Sequence, residues 1–328
     1  MKRQLNVSII QMPISDTAAN LKYLEDAVDT LMKGYVTPEL VVGVELGVGE
    51  IPDTIPGKIT DFLGAIAKKH GIYFIPGTML EKNGGGEEGK YYNSCPVFAP
   101  DGSLITKYRK KIPFRPGETI LASNDDDYCI FKIAEKDISV GLLVCYDQFF
   151  PEIPRTLALK GAEIIICPAY DPIEFNHIPD VIPRARALEN ELFYVWTNST
   201  GINEYGTSCG NSIIIDPEGN VIYKCGDTPT LLTKTLDIDL VAKKRNCGQD
   251  QHLNTLRYFD VKYPYAQNLK DAPVYKDMLP LTNDSNEYKE RLESYGMSAL
   301  VKQKTPEEIR KANQELKSLY EEAIQVKK

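Results

Sequence analysis

The chain has 328 residues and a net charge of −8, from 38 Lys and Arg against 46 Asp and Glu. Neither sign of charge is gathered into a long block, which argues against a nucleic-acid or anionic-membrane partner. No segment approaches the run of about 18 apolar residues that a membrane-spanning helix needs. A chain of this length buries roughly three quarters of its unfolded surface, which allows one large domain or two small ones.

The first part of the chain predicts strands that alternate with helices. Its predicted elements are, in chain order, the strand 5–11, the helix 17–32, the strand 40–44, the helix 57–70, the strand 72–76 and the strands 93–98 and 103–108. Apolar residues recur at helical spacing in the predicted helices and form short buried runs in the strands. The run at 40–44 ends at Glu45, and Pro100-Asp-Gly102 joins the last two strands as a hairpin.

The second part of the chain continues the alternation. Its predicted elements are the strand 138–144, the helix 153–160, the strand 163–167, the helix 180–190, the strand 193–197, a hairpin around 216–219 and the strand 231–238. Strands interleaved with helices and hairpins are typical of mixed sheets that are covered by helices. The sequence therefore predicts an α/β fold with mixed sheets.

The pattern weakens after about residue 245, so we expect a main domain at residues 1–250 and a carboxy-terminal tail at 251–328. The tail predicts a short helix at 286–295, and Thr305-Pro-Glu-Glu308 is a capping box that opens a terminal helix to about residue 326. Apolar residues of that helix recur every three or four positions, at Ile309, Ala312, Leu316, Leu319 and Ala323. Such a stripe needs a partner surface, either the body of the same chain or an oligomer interface.

The cysteines and histidines constrain the compartment and the metal content. Seven cysteines are an odd number without a Cys-x-x-Cys pair, which favours a reducing cytoplasm. The first residues read as a strand and not as a signal peptide. The three histidines have no close Cys, His or Glu partner in sequence, so we expect no zinc site.

Three reactive groups follow apolar runs that predict buried strands. A carboxylate at Glu45, an ammonium at Lys110 and a thiol at Cys145 would supply a base, an oxyanion stabiliser and a nucleophile. Pro151-Glu152 opens a helix after Cys145, and such an elbow should lower the pKa of the thiol through helix-terminal N–H dipoles. Each group also has an ordinary structural explanation: an inert core cysteine, a solvated carboxylate past the sheet edge, and a solvated basic face.

In this order, the motifs resemble the nitrilase, or carbon–nitrogen hydrolase, superfamily over roughly residues 4–250. The motifs that carry the resemblance are the strand ending in Gln11, the Glu45 strand, Tyr108-Arg-Lys110, Cys145-Tyr-Asp-Gln-Phe-Phe-Pro-Glu152, Gly161-Ala-Glu163, Arg184-Ala-Arg-Ala-Leu-Glu-Asn190 and Asp216-Pro-Glu-Gly219. The resemblance implies that Glu45 is the general base, Lys110 the family lysine, Cys145 the nucleophile and Glu118 the additional glutamate of amidase members. One departure is Val44, where the family usually has Pro before the base.

The resemblance also implies a fold, an assembly and a reaction. The fold would be an α-β-β-α sandwich, a four-layer nitrilase-like architecture, in a homodimer or a higher homo-oligomer. Cys145 would attack an amide carbonyl, Lys110 and the N–H of Tyr146 would stabilise the oxyanion, and a thioester would then be hydrolysed without a cofactor. Glu118, crowded beside Glu45, should have a raised pKa.

The branch of the family is less well defined by the motifs. Nitrilases typically carry Trp-Glu after the cysteine, so Tyr146-Asp147 disfavours a nitrile substrate. The loop 110–118 looks like that of aliphatic amidases and formamidases, whereas the run 147–152 looks like that of carbamoylputrescine amidases. We expect a small, uncharged primary amide, with an N-carbamoyl amine as the alternative. In that alternative, Asp171 or Glu174 would face the cationic end of the substrate.

The candidate substrate-binding residues follow strand ends, and ordinary packing explains each of them equally well: Tyr146, Phe149, Tyr170 and Asn198. A different class of function is a non-catalytic scaffold of the same fold, with the terminal helix as its interaction element. The presence of Glu45, Lys110, Glu118 and Cys145 together counts against a scaffold. Packing alone gives no reason to place two carboxylates and an ammonium beside a thiol.

Overall fold

Two six-stranded mixed sheets form the centre of the computed structural model. The structure describes residues 3–82, 91–114, 118, 128–203, 206–256, 279, 282 and 284–295. Its strands are β1 (Gln4–Gln11), β2 (Leu40–Asp53), β3 (Tyr73–Lys82), β4 (Tyr91–Phe98), β5 (Leu104–Arg109), β6 (Cys129–Ile133), β7 (Ile138–Leu142), β8 (Ile164–Ala169), β9 (Phe193–Asn198), β10 (Thr200–Asn203), β11 (Gly206–Cys209), β12 (Ile213–Ile215), β13 (Val221–Lys224) and β14 (Thr230–Asp237).

The two large sheets have the orders β14-β1-β2-β3-β4-β5 and β13-β12-β9-β8-β7-β6, and β10 pairs with β11. In the first sheet β1, β2 and β3 are parallel, and in the second β7, β8 and β9 are parallel. The helices are α1 (Thr17–Leu31), α2 (Lys58–His70), α3 (Glu152–Leu159), α4 (Ile178–Asn190), α5 (Asp239–Cys247), α6 (His252–Leu256) and α7 (Ser285–Ser294).

The core consists of two apolar layers. The larger layer joins the facing sides of the two sheets, with Val7 and Val42 from the first sheet and Val140 and Val195 from the second. The smaller layer lies between the first sheet and the helices α1 and α2, whereas α3 and α4 pack on the second sheet. This arrangement is the predicted α-β-β-α sandwich.

Most predicted elements coincide with observed ones, but β2 differs. It continues past Glu45 to Asp53, so Glu45 does not end the strand as the apolar run predicted. The pairing of β2 with β3 breaks between Val44 and Gly49, and Leu46 has φ 56° inside the break. Gly77 (φ +101°) permits this geometry, because a Cβ there would lie 1.9 Å from the carbonyl oxygen of Val44.

Four structural features were missing from the predicted elements: the strand β6, the hairpin β10–β11 and the helices α5 and α6. The predicted helix at 286–295 corresponds to α7. The predicted terminal helix at 305–326 lies outside the described residues. In the part of the chain that the structure describes, no helix is long and apolar enough to cross a membrane.

Candidate active site

Lys110 lies between two carboxylates in the interior, with 2 % of its surface exposed. Its Nζ donates to Oε1 of Glu45 at 2.8 Å and to both carboxylate oxygens of Glu118 at 2.8 Å. The backbone N–H of Lys110 donates to the carbonyl of Asn93 at 2.8 Å, and the Asn93 amide donates to Oε1 of Glu45 at 2.8 Å. The β4–β5 hairpin therefore fixes the ammonium and the Glu45 carboxylate relative to each other.

The charges around Lys110 stabilise one another. Burial by itself lowers the pKa of Lys110, but Glu45 and Glu118 outweigh burial and hold that pKa well above its usual value. Burial raises the pKa of Glu118, and Glu45 adds to the increase while Lys110 opposes it. The predicted increase is confirmed, although burial contributes more than Glu45 does. Lys110 remains a charged hydrogen-bond donor at neutral pH.

Cys145 occupies a strained turn at the end of the second sheet. It lies three residues beyond β7 and opens a short 3-10 turn, Cys145–Phe149, with φ 46°. A non-glycine residue in this left-handed region costs about 1–3 kcal/mol, so the surrounding structure has to hold it. Tyr146 is the second residue of the turn, where a backbone N–H has no partner within the turn. Its predicted contact with the oxyanion stays a prediction.

Asp147 ties the turn to the lysine loop. Its carboxylate accepts from the N–H of Val144 at 3.2 Å, from the hydroxyl of Tyr108 at 2.7 Å and from the N–H of Ile112 at 2.9 Å. Burial raises the pKa of Asp147 to about 6, against the effects of Lys110 and Tyr108. The sequence reasoning missed this positioning residue. A carboxylate among apolar and aromatic residues, two positions after the nucleophile, was the available signal.

The pKa of the Cys145 thiol is raised, whereas the sequence predicted a lowered pKa. Burial, then the nearby carboxylates of Asp171 and Glu45, raise its pKa well above the usual value, and Lys110 opposes them only in part. The prediction of a lowered pKa was therefore wrong. A five-residue turn supplies too little dipole to offset desolvation and two negative charges. In the resting site the thiol is protonated, so attack on a substrate requires a base.

Asp171 is brought to the thiol by the loop that follows β8. The thiol of Cys145 donates to Oδ1 of Asp171 at 3.4 Å. Asn198 holds this loop, because its amide oxygen accepts from the N–H of Asp171 at 2.7 Å and its amide nitrogen donates to the carbonyl of Gly210 at 3.0 Å. The hydrogen bonds described for the Asn198 side chain go to the protein. Its substrate contact stays a prediction.

Two of the aromatic candidates, Tyr146 and Phe149, pack together in the turn that begins at Cys145. The ring of Tyr146 contacts Phe114 at a centroid distance of 5.1 Å and Phe149 at 5.5 Å. Tyr146 and Phe149 are half-buried, as is Tyr170, which packs against the layer beneath α1 and α2. Arg186 from α4 donates to the carbonyls of Gln148 at 2.8 Å and Phe149 at 3.3 Å, which braces the turn. Their contact with substrate stays a prediction.

The site thus brings together a buried thiol, an ammonium and several carboxylates, an arrangement suited to hydrolysis through a nucleophile. Among the residues that the structure describes, no group of three or more His, Cys, Asp or Glu side chains could hold a metal ion. The carbon–nitrogen hydrolase family model matches residues 6–246. The chain belongs to the carbon–nitrogen hydrolase family.

Relatives of known name agree with this family. The chain is 34% identical over 209 residues to the omega-amidase NIT2-B of Xenopus laevis, covering 60% of this chain and 72% of the relative. It is 32% identical over 211 residues to the omega-amidase NIT2 of Mus musculus, with 59% and 71% covered. It is 31% identical over 255 residues to a hydrolase encoded in the pqqF 5' region of Pseudomonas protegens, with 74% and 86% covered.

Solved structures agree on the fold. Nit3 of Saccharomyces cerevisiae, a member of the nitrilase superfamily, matches with a TM-score of 0.70 and 24% identity over 78% of this chain and 97% of that chain. A carbon–nitrogen hydrolase from Helicobacter pylori matches with a TM-score of 0.68 and 22% identity over 80% and 97%. The predicted superfamily, its fold and an enzyme of the nitrilase type that hydrolyses non-peptide amides are confirmed. The relatives give no specific support to the N-carbamoyl alternative.

Proposed function

We propose that this enzyme hydrolyses a small primary amide to a carboxylic acid and ammonia through a thioester on Cys145. The observation that carries the proposal is the buried Lys110, which bridges Glu45 and Glu118 on the side of the fold where the turn presents Cys145. The omega-amidase relatives support an amide as substrate.

In the first half of the reaction, Glu45 accepts the thiol proton while Sγ of Cys145 attacks the carbonyl carbon. General-base assistance is needed because the raised pKa of Cys145 keeps the resting thiol protonated. Lys110 and the N–H of Tyr146 stabilise the negative charge that develops on the carbonyl oxygen. The tetrahedral intermediate collapses to the thioester as Glu45 returns the proton to the leaving ammonia.

In the second half, water attacks the thioester. Glu45 takes a proton from the water, the carboxylic acid leaves, and Cys145 recovers its proton, so one amide and one water give one acid and one ammonia. Glu118 acts through Lys110, because both of its oxygens accept from Nζ at 2.8 Å. This contact aims the ammonium at the reacting oxygen and keeps it charged.

The test is a panel of formamide, short aliphatic amides, glutamine, N-carbamoyl amines and nitriles, with ammonia and carbon dioxide measured separately. We expect ammonia without carbon dioxide from a small amide, and no turnover by Cys145→Ala. Equimolar carbon dioxide and ammonia from a carbamoyl amine would overturn the amide assignment. Turnover of nitriles alone would exclude both substrates, and an inactive wild type would favour the scaffold.

The same proposal includes the setting of the enzyme. We place it in the cytoplasm as a homodimer or higher homo-oligomer that uses no cofactor, with the catalytic domain at 1–250 and the tail at 251–328. The cytoplasmic placement is supported by the seven cysteines, all of which are free. The oligomer is supported by the apolar stripe predicted for residues 309–323.

A further inference from the structure

Within the described part of the chain, Asp171 has a carboxylate oxygen beside the nucleophile that accepts no hydrogen bond. Only 5 % of the residue is exposed, and its Oδ1 lies 3.4 Å from Sγ of Cys145. Its Oδ2 is buried and has no hydrogen-bond partner among the residues that the structure describes. A buried carboxylate oxygen without a donor is costly, so such an atom next to a reacting group indicates a missing ligand.

The backbone of Asp171 is fixed from both sides. Its N–H donates to Oδ1 of Asn198 at 2.7 Å, and its carbonyl accepts from the N–H of Cys209 at 3.0 Å. The next residue, Pro172, forms a bridge with Ser208. These contacts hold the carboxylate beside the thiol, and the side chain of Asn198 supplies one of them.

The neighbouring carboxylates are better satisfied. Asp147 accepts three hydrogen bonds, Glu45 accepts from Lys110 and Asn93, and Glu118 accepts from Lys110. Asp171 accepts only the weak thiol donor among the described contacts. Within those contacts Lys110 is the cation shared by Glu45 and Glu118, which leaves an excess of negative charge at Asp171.

We propose that Asp171 binds an ammonium group of the substrate that lies next to the amide carbonyl, so that the preferred substrates are α-amino amides. This inference rests on the proposed amidase function and replaces the expectation of an uncharged substrate. Sγ approaches the carbonyl carbon to about 3–3.5 Å before attack. An α-ammonium lies two bonds from that carbon, close enough for a substrate to orient it toward Oδ2, where a charge-assisted hydrogen bond is about 2.7–2.9 Å long.

The contact between Asp171 and a substrate ammonium predicts a bell-shaped dependence of kcat/KM on pH. The groups facing Asp171 are Glu45, Lys110 and the thiols of Cys145, Cys167 and Cys209. Burial, then Glu45, raise the pKa of Asp171 to about 7, so its negative charge is lost as the pH falls through that value. An α-amino group loses its proton near pH 8. For an α-amino amide, kcat/KM should be greatest between these two values.

The test uses glycinamide and propionamide, which differ by an ammonium in place of a methyl group. The wild type should prefer glycinamide by about 10- to 100-fold in kcat/KM near pH 7.5, which is the range of a hydrogen bond to a charged group. In Asp171→Asn, the kcat/KM values for glycinamide and propionamide should become nearly equal. Glu174→Gln is the matched control, because Glu174 is an exposed acid three residues away and should leave the ratio unchanged.

Each outcome separates the two proposals. Hydrolysis of propionamide without a preference for glycinamide would overturn the ammonium site and leave the amidase intact, whereas no ammonia from any amide would overturn the amidase itself. Equal losses on both substrates in a folded Asp171→Asn enzyme would mean that Asp171 acts on the thiol and would also overturn the inference. Two wild-type measurements test the ammonium site without the variant. One is the ratio of kcat/KM for glycinamide to that for propionamide. The other is the fall of kcat/KM at high pH, which should occur for glycinamide and be absent for propionamide.

Discussion

Replacing Lys110 by Met would test the central feature of the site. The substitution keeps an unbranched apolar stem of similar size and removes the ammonium that donates to Glu45 and to Glu118 at 2.8 Å. Two carboxylates would then remain in the interior without their shared cation. Because one side chain serves both the fold and the chemistry, stability and activity should fall together.

The expected loss of stability follows from the burial of the lysine. Removing one partner of a buried ion pair costs about 3–5 kcal/mol of unfolding free energy. The folded pKa of Lys110 is raised, so its contribution is fully present below its unfolded pKa and is lost only as the pH rises through the folded value. Lys110→Met should therefore show the full loss at pH 7, and acidification should reduce the loss as Glu118, whose pKa is raised, becomes protonated.

The expected loss of activity is separate from that of stability. An oxyanion donor is worth about 3–4 kcal/mol, so kcat should fall roughly 100- to 1000-fold at a temperature where the variant is folded. Chemical denaturation at pH 7 and pH 5 measures the first effect, and ammonia release measures the second. Adding Glu118→Gln should restore part of the stability by removing one of the two like charges, and it should not restore kcat.

Lys111→Met is the matched control, because Lys111 lies over the ring of Tyr128 at 4.8 Å. It should cost little activity. A greater loss of kcat in Lys111→Met than in Lys110→Met would refute the assignment of the lysine. A Lys110→Met enzyme with wild-type stability at pH 7 would refute the account of the buried charges.

Further predictions concern the supports of the site and the tail. Asp147→Ala should destabilise the fold by about 1–3 kcal/mol and lower kcat, because three buried donors lose their acceptor. Tyr108→Phe removes one of those donors and should cost about 1 kcal/mol of stability. Chemical denaturation measures the loss of stability, and ammonia release measures the loss of kcat. Ellman's reagent at pH 7 should label the exposed Cys247 before Cys145, and faster labelling of Cys145, followed by peptide mapping, would contradict its raised pKa. Truncation before Thr305 should change the number of subunits in the oligomer measured by light scattering. An unchanged number of subunits with a lower melting temperature would place the tail on its own subunit.

The sequence predicted the layers of the fold because its apolar runs are short and alternate with helical spacing. It also predicted Glu45 and Lys110, because charged groups that follow buried strands are conspicuous. Glu118 came from the resemblance to the family, and the structure brings Lys110 into contact with both glutamates. The extension of β2 beyond Glu45 was not predictable in this way. It depends on the approach of Val44 to Gly77, a contact between residues far apart in the sequence.

The raised pKa of the Cys145 thiol could not be predicted from the sequence either. The motif suggested a cysteine whose pKa is lowered by helix dipoles, but the fold buries Cys145 and places Asp171 beside it. Asp171 was named only as one of two acids for the alternative substrate. The structure distinguishes them, since Glu174 is exposed on the surface and Asp171 is buried at the nucleophile.

The raised pKa of Cys145 has a consequence for specificity. The carboxylate of Asp171 is, after burial, the largest contribution to that increase. An ammonium bound at Asp171 would offset its negative charge, so the thiol would lose its proton to Glu45 more easily when a cationic substrate is present. An empty site would keep the thiol protonated and less open to oxidation, because the thiolate is the reactive form. Binding and activation of the nucleophile would thus be coupled through one carboxylate, and an uncharged amide would gain neither the ion pair nor this activation.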